Sequence, residues 1–559
     1  MVNLCGATIG GDLDCSGGKF TNEGNEALVA QRANVTGSVR LGESFQALGM
    51  VVLHSATIGG DLNCSGGEFT NPDKDALVAV DVNVKGYVYL NKKFQATGSV
   101  NLFGATIGGA LDCSEGKFTN QDKDALLAQN AKVTCGVYLS DGFEAIGRVS
   151  LLGAAIGGDL DCTEGKFTNQ DKHALVAIDA NISGYVFLRE KFQAVGAVIL
   201  NHATIGGDLE CSGGKFTNGN KTALYAADVN VKGDVSLIDG FEAVGAVILN
   251  DATIGGDLYC YNGKFVNEGE FALVARSIDV KGNVSLRGSF QAVGKVSLYD
   301  AKIGKTLEIA GIKAPQDMSL DLQFAQVQTL EQAEDSFPLP GHLLLNNLVY
   351  EALGSASLQN RKQYITWLRL QPKAFFSSQP YEQLAKVLRS VGEGDEAVKV
   401  LIGREDDLLQ RGNLHWLSKG WKRFLGCTIA YGYHPEWALI WGLIVVVAGS
   451  YPFNVGYQNG LISATDKDCK PPTLQQVDQA CPNHPKFNPI IYSLDVFLPI
   501  IDLRLKTYWL PNANKGTEVF QIKWGALLRY YFWIHILLGW VLTTLWVAAF
   551  SGLVRNSNK

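Results

Sequence analysis

The sequence predicts a mainly β chain: a quadrilateral parallel β-solenoid, followed by an α-helical neck and two transmembrane helices. Three observations carry this. A 49-residue unit repeats through residues 3 to 312. Within it the apolar residues fall in i, i+2 pairs, which is strand periodicity. Near the end of the chain, two long stretches lack any charged residue.

The segment ATIGGDLDCSGGKFTN at Ala7 returns at Ala56 and again near Ala105, Ala154, Ala203 and Ala252, and the matching Cys15, Cys64, Cys113, Cys162, Cys211 and Cys260 are 49 residues apart. Each unit holds two coils, because Ala7-x-Ile9-x-Gly11-x-Leu13-x-Cys15 is echoed by Ala33-x-Val35-x-Gly37-x-Val39-x-Leu41. Pairs such as Val149/Leu151, Ala154/Ile156 and Leu160/Cys162, then Phe167, mark four short sides per coil, with a small TNxDKxAL insert. About 12 coils at the strand spacing of about 4.8 Å make a rod on the order of 60 Å long. One Phe per coil, from Phe20 and Phe45 through Phe265 and Phe290, forms a buried ladder, and the Asn that follows in the insert satisfies turn backbone.

This pattern resembles the pentapeptide-repeat type of right-handed β-helix, loosened by a six-residue step and the insert. With its tail, the whole chain resembles bacterial membrane proteins sometimes named membrane-associated oxidoreductase. The LDVFLPI stretch and the last apolar segments carry that likeness outside the solenoid. The resemblance brings no established activity with it.

The residues do not supply a redox or catalytic motif either, and no cofactor is expected. Leucines alternate with the cysteines in one column, so successive Cys lie roughly 9.6 Å apart. That exceeds disulfide reach and spreads the thiols too widely for one zinc ion. They read as small buried hydrophobes. Gly304-Lys305-Thr306 lacks the upstream glycine of a phosphate loop, Tyr299 standing in its place, and Gly392-x-Gly394 joins two helical stretches. The net charge of -7 excludes a globally basic nucleic-acid binder, and no nucleic-acid partner is expected. One surface feature stands out. Asp12, Asp14, Asp61, Asp112, Asp159, Asp161, Asp208, Glu210 and Asp257 form an outward acidic ribbon, able to meet a basic partner or calcium, to mimic the charge of DNA as the resemblance to pentapeptide-repeat proteins implies, or to serve as a solvated face.

The predicted organisation runs from the solenoid (1–312) through a degenerate capping coil (313–358) and a helical hairpin neck (359–412) to an interfacial amphipathic segment (413–433). Then come a first transmembrane helix (434–457), an extracytoplasmic loop (458–527), a second transmembrane helix (528–554) and a cytoplasmic tail (555–559). No charge falls between Glu436 and Asp466 or from Tyr530 to Val554, and Trp437, Trp441, Tyr530, Tyr531 and Trp533 match aromatic belts. Lys419, Lys422, Arg423, Arg555 and Lys559 place both ends in the cytoplasm of an inner membrane. In the loop, a re-entrant or interfacial helix at 489–503 sets Asp495 and Asp502 seven residues apart on one face, a candidate pore or interface. Cys469 and Cys481 are a candidate disulfide there.

Two functions follow as expectations. One is a membrane-tethered scaffold whose partners are the bilayer and a protein lying along the solenoid. The other is an ion channel or pore built from two helices per chain, which requires a homo-oligomer.

Overall fold

The computed structural model describes residues 1–355, 357–373, 376–465, 484–519 and 522–556, and the chain divides into two compact units, Met1–Val400 and Leu401–Lys559.

The first unit is a parallel β-solenoid. Each turn contributes two two-residue strands and one long strand, as in Thr106–Ile107, Leu111–Asp112 and Lys117–Leu127. The next turn repeats them as Lys132–Val133, Val137–Tyr138 and Glu144–Ser150. The long strand bends round a corner. Lys117, Phe118 and Thr119 pair with Glu144, Ala145 and Ile146, the register breaks over the insert, and pairing resumes at Asp124 with Arg148 and, after a second shift, at Leu126 with Val149. Four sides per turn result, as the apolar pairs require.

The interior is the stack of inward columns. The Phe rings of successive turns are 5.1 to 5.4 Å apart, centroid to centroid, all tilted. Each such contact adds about 0.5–1.5 kcal/mol beyond the burial of the rings. In the inserts Asn71, Asn120, Asn169 and Asn218 each donate from Nδ2 to the carbonyl oxygen four residues on, at 2.7 Å, which holds the bulge closed. Outside, Lys123, Lys172 and Lys221 reach Asp73, Asp122 and Asp171 of the insert two turns earlier, at 2.9 to 3.0 Å. These pairs are exposed and contribute little each.

One glycine per turn pair is obligatory. Gly147 has φ +116°, and a Cβ there would drive into the carbonyl of Asn120 and lie 2.8 Å from that of Lys123. Gly147→Ala is expected to cost on the order of 1–3 kcal/mol from backbone strain alone, read as a lower chemical-denaturation midpoint.

The turn count differs from expectation. The sheet of long strands has 15 members, against about 12 coils foreseen. Val2–Asn3 opens the column, and Met318–Asp321 and Leu343–Leu344 extend it. The later rungs keep the i, i+2 apolar pairs while losing the Gly-Gly-Asp and Cys positions, so the repeat fades before the fold does. The last rung, Val349–Leu353, is covered by a helix of the neck. After α1 (Arg361–Leu368), α2 (Gln379–Ser390) brings the Gln379 amide to the N–H of Asn347 and the carbonyl of Leu348, and Gln383 to the carbonyl of Tyr350. Side-chain amides thus satisfy edge groups that would otherwise recruit another strand. α3 (Gly394–Arg411) contains the division between the units.

The second unit is helical: α4 (Trp416–Ile429), α5 (Glu436–Gln458), α6 (Pro489–Phe497) and α7 (Trp524–Phe550). α5 and α7 are long and apolar enough to cross a membrane. The buried residues of α7 are Gly525, Leu528, Phe532, His535, Gly539, Leu542, Leu545 and Ala549, spaced in steps of three and four. α5 buries Gly442, Gly449 and Gly456 at heptad spacing. This is the seam of left-handed helix packing, with glycines letting the neighbours approach. A Cβ on Gly539 would fall on the Phe497 carbonyl of α6, and one on Gly456 would strike Leu528.

Candidate functional site

The acidic ribbon resolves into two columns with different work. Asp12, Asp61, Asp159 and Asp208 each accept, through Oδ1, the backbone N–H of the residue 26 positions on, at 2.8 Å (Ser38, Tyr87, Tyr185 and Asp234). Asp257 accepts from Asn283 at 2.5 Å. These carboxylates tie each turn to the next where the Gly-Gly corner leaves an amide without a strand partner. Asp14, Asp112 and Asp161 accept at 2.9 to 3.0 Å from Ser16, Ser114 and Thr163 in their own corner, as Asx turns do, and Glu210 accepts from the Ser212 hydroxyl at 3.0 Å. Hydrogen bonds from Ser16 hold Asp14 below its ordinary pKa.

The second oxygens of Asp112 and Asp257 accept from the Asn91 amide at 2.6 Å and the Tyr259 hydroxyl at 2.5 Å, while those of Asp12 and Asp14 meet an arginine. Arg40 spans Asp12 at 2.9 Å and Asp14 at 3.5 Å. In the next three repeats the Arg40 position is aromatic, Tyr89 being registered with Asp112, Asp112 with Tyr138, Tyr138 with Asp161, and Asp161 with Phe187, and in the last two it is Ser236 and Ser285. Tyr87 stacks on Tyr89, and Tyr185 on Phe187, with ring centroids 5.6 Å apart. Over those three repeats the outer face therefore alternates carboxylates with aromatic rings. Reading only the acids missed this, though Gly-Tyr-Val at Tyr87 and Tyr185 signals it.

The cysteine column is inert by geometry. Cys64, Cys113, Cys162, Cys211 and Cys260 are fully buried, each separated from the next by a leucine of the intervening turn. Burial pushes their thiols far above the ordinary cysteine range. At pH 8 a thiol-specific alkylating agent is expected to modify the exposed Cys5, Cys135 and Cys427 within minutes and to leave these five untouched until the chain is denatured. Peptide mass mapping reads the result, and early modification of Cys162 would contradict it. Cys469 and Cys481 lie outside the described residues. Among the described residues, no group of three or more His, Cys, Asp or Glu is placed to hold a metal ion.

In the second unit, α6 ends at Phe497 instead of continuing to 503, because Leu498 precedes Pro499 and is extended. Asp495 and Asp502 accordingly do not share a helical face. Asp495 is fully buried, and its two carboxylate oxygens accept the backbone N–H groups of Leu503 and Lys506, each at 2.7 Å. Lys506 returns its ammonium to the Asp495 carbonyl at 3.1 Å. Asp502 is exposed and accepts from the Arg504 N–H at 3.0 Å.

A second polar cluster, unforeseen from sequence, centres on His535. Its Nε2 lies 3.2 Å from the Ser493 carbonyl and 3.1 Å from the Ser493 hydroxyl, and its Nδ1 is 3.3 Å from the Tyr531 hydroxyl. Ser493 itself donates to the Val446 carbonyl at 2.8 Å. Because Ser493 donates to Val446, Nε2–H donates to Ser493, and a neutral ring then accepts from the Tyr531 hydroxyl at Nδ1. A serine whose proton is bound elsewhere, facing an imidazole N–H, is not an activated nucleophile. The cluster locks α5, α6 and α7 together. A lone His within a 25-residue uncharged run was its sequence signal.

No family model, curated protein or solved structure matches the chain.

Proposed function

We propose that the protein is a membrane-tethered interaction scaffold, in which α5 and α7 hold the β-solenoid at the cytoplasmic face of a bacterial inner membrane, with both chain ends in the cytoplasm. One observation carries the tethering. The faces of α5 and α7 turned away from their seam are covered with exposed large apolar side chains, including Leu443, Val447 and Tyr451 on α5 and Leu537, Trp540 and Phe550 on α7. Water would penalise that surface, and hydrocarbon would not. The exposed Trp416, Trp421 and Phe424 of α4, interleaved with Lys419 and Arg423, suit an interfacial helix. The likeness to pentapeptide-repeat membrane proteins agrees with this reading.

The scaffold partner is a basic protein segment. Asp159 and Asp161 repeat the arrangement in which Asp12 and Asp14 hold Arg40, with Tyr138 and Phe187 in place of the arginine. An incoming guanidinium would find the second carboxylate oxygens of Asp159 and Asp161 beside the Tyr138 ring, while the Phe187 ring already carries the guanidinium of Arg189, 4.2 Å from its centroid. The channel alternative gains no such support, since Asp495 is spent on backbone amides and Asp502 stands off the helix.

Alkaline carbonate should leave the full chain in the membrane pellet, and protease added to intact spheroplasts should spare the solenoid. Release into the supernatant would refute tethering. An Arg-rich peptide should bind the purified protein with salt-dependent affinity, weakened about tenfold or more by Asp159→Asn with Asp161→Asn, which keep the Oδ1 acceptors. Equal binding by the double variant would refute the face.

A further inference from the structure

An apolar groove of about 470 Å³ opens on the second unit. Its floor is α5 from Ala438 to Val446, its far wall is Leu542, Thr543 and Trp546 of α7, and its roof is the non-helical segment Leu498–Ile501 that follows α6. Along α5 it runs for about 12 Å, eight residues at 1.5 Å each. Thr543 supplies the only side-chain hydroxyl in an otherwise hydrocarbon lining. Leu439, Leu443 and Ile500 on its rim are 54%, 65% and 83% exposed.

The geometry points to an anionic phospholipid of the leaflet nearest α4 as the occupant, one acyl chain in the groove and the headgroup at the cationic side of α4. This rests on the membrane reading above. Two features select a phospholipid over an apolar helix from a partner. First, Leu425 of α4 packs on the cluster containing Ala438 and Leu545, beside Trp546, which brings α4 to that end of the groove, with Lys419 and Arg423 six and two residues before Leu425 on the other side of the helix. Neither cation has an ion-pair partner among the described residues, whereas Lys422, on the same helix, is held by Glu405 at 2.5 Å. Opposite charge is what these two lack, and a phosphodiester provides it. Second, the backbone N–H groups of Ile500 and Ile501 have no acceptor among the described residues. Irregular backbone at membrane depth requires a polar partner. Ester carbonyl oxygens can accept from these amides, and the apolar side chains of a docked helix cannot.

The test uses the full chain purified in mild detergent, with bound lipid measured by native mass spectrometry and by extraction with lipid analysis. Near one anionic phospholipid per chain is expected in the wild type. Thr543→Trp, which fills the groove, should lower retention at least fivefold, and Leu443→Trp, which narrows the rim, serves if the first variant does not fold. Lys419→Gln with Arg423→Gln should keep a lipid bound but abolish the preference for anionic over zwitterionic species in add-back titrations. Unchanged retention in the groove variants, or a wild type stripped of lipid without loss of thermal stability, overturns the proposal. So does a polypeptide cross-linked stoichiometrically from a photoreactive residue at position 443. Recovery of the chain in the carbonate supernatant would be the failure of the membrane reading instead.

Discussion

Leu139→Asp should unfold the middle of the solenoid. Leu139 is fully buried, in the column where Cys113 precedes it and Cys162 follows, and its N–H donates to the Asp161 carbonyl at 2.7 Å. The new carboxylate would have no cation and no strong donor beside it in the column, because each neighbour there is a thiol, at best a weak donor, or an aliphatic chain. Burying such a group costs several kcal/mol, whether it stays charged or takes up a proton. In a solenoid each turn is stabilised only by the turns on either side, so the loss spreads to both. The expected result is a fall in the circular dichroism strand signal with new protease cleavage between residues 110 and 165, against a wild type resistant there. Cys162→Val, one turn on, changes little volume and should cost no more than about 1.5 kcal/mol. A Leu139→Asp chain as resistant as wild type would mean that this column does not face the core.

How far sequence goes in such a chain depends on what a residue answers to. The solenoid is legible because every turn solves the same problem with the same side chains. Cys64 and Leu90 are buried for one reason, and a 49-residue period broadcasts it. The end of the solenoid is harder to read. Met318–Asp321 and Leu343–Leu344 continue the stack with no motif residue left, and Gln379 and Gln383 cover it through contacts that no local pattern reveals. The candidate sites divide in the same way. Asp159 could be placed on an outward face from alternation alone, but not the amide of Tyr185 that it secures, since that lies one turn away, 26 residues on. In the second unit the long apolar helices are plain, and the Gly442, Gly449 and Gly456 seam could have been counted. Helical spacing, however, misplaced Asp502, because a proline at 499 changes the backbone before the second carboxylate is reached.

That correction sets the second large effect. Asp495→Ala is expected to destabilise the second unit by several kcal/mol, because it removes the acceptor of two backbone N–H groups at once and leaves Lys506 facing a buried void. Each orphaned donor costs about 1–3 kcal/mol, and the full burial of Asp495 leaves no water to replace the lost acceptor. The two bonds also fix the return of the chain after α6, so their loss should free Leu503–Lys506 from α6 and expose it to protease. Asp495→Asn retains one acceptor oxygen and should fall between alanine and wild type, whereas Asp502→Asn, at an exposed position outside the helix, should change thermal stability by less than about 0.5 kcal/mol. Fluorescence-detected gel filtration after a heat ramp in detergent gives this ranking directly. Equal midpoints for Asp495→Ala and Asp502→Asn would show that the buried carboxylate does not staple the hairpin. A pore reading makes the opposite demand: Asp502→Asn should then alter cation selectivity in planar bilayers while Asp495→Ala leaves it intact in whatever protein still folds, because only the exposed carboxylate can meet a passing ion.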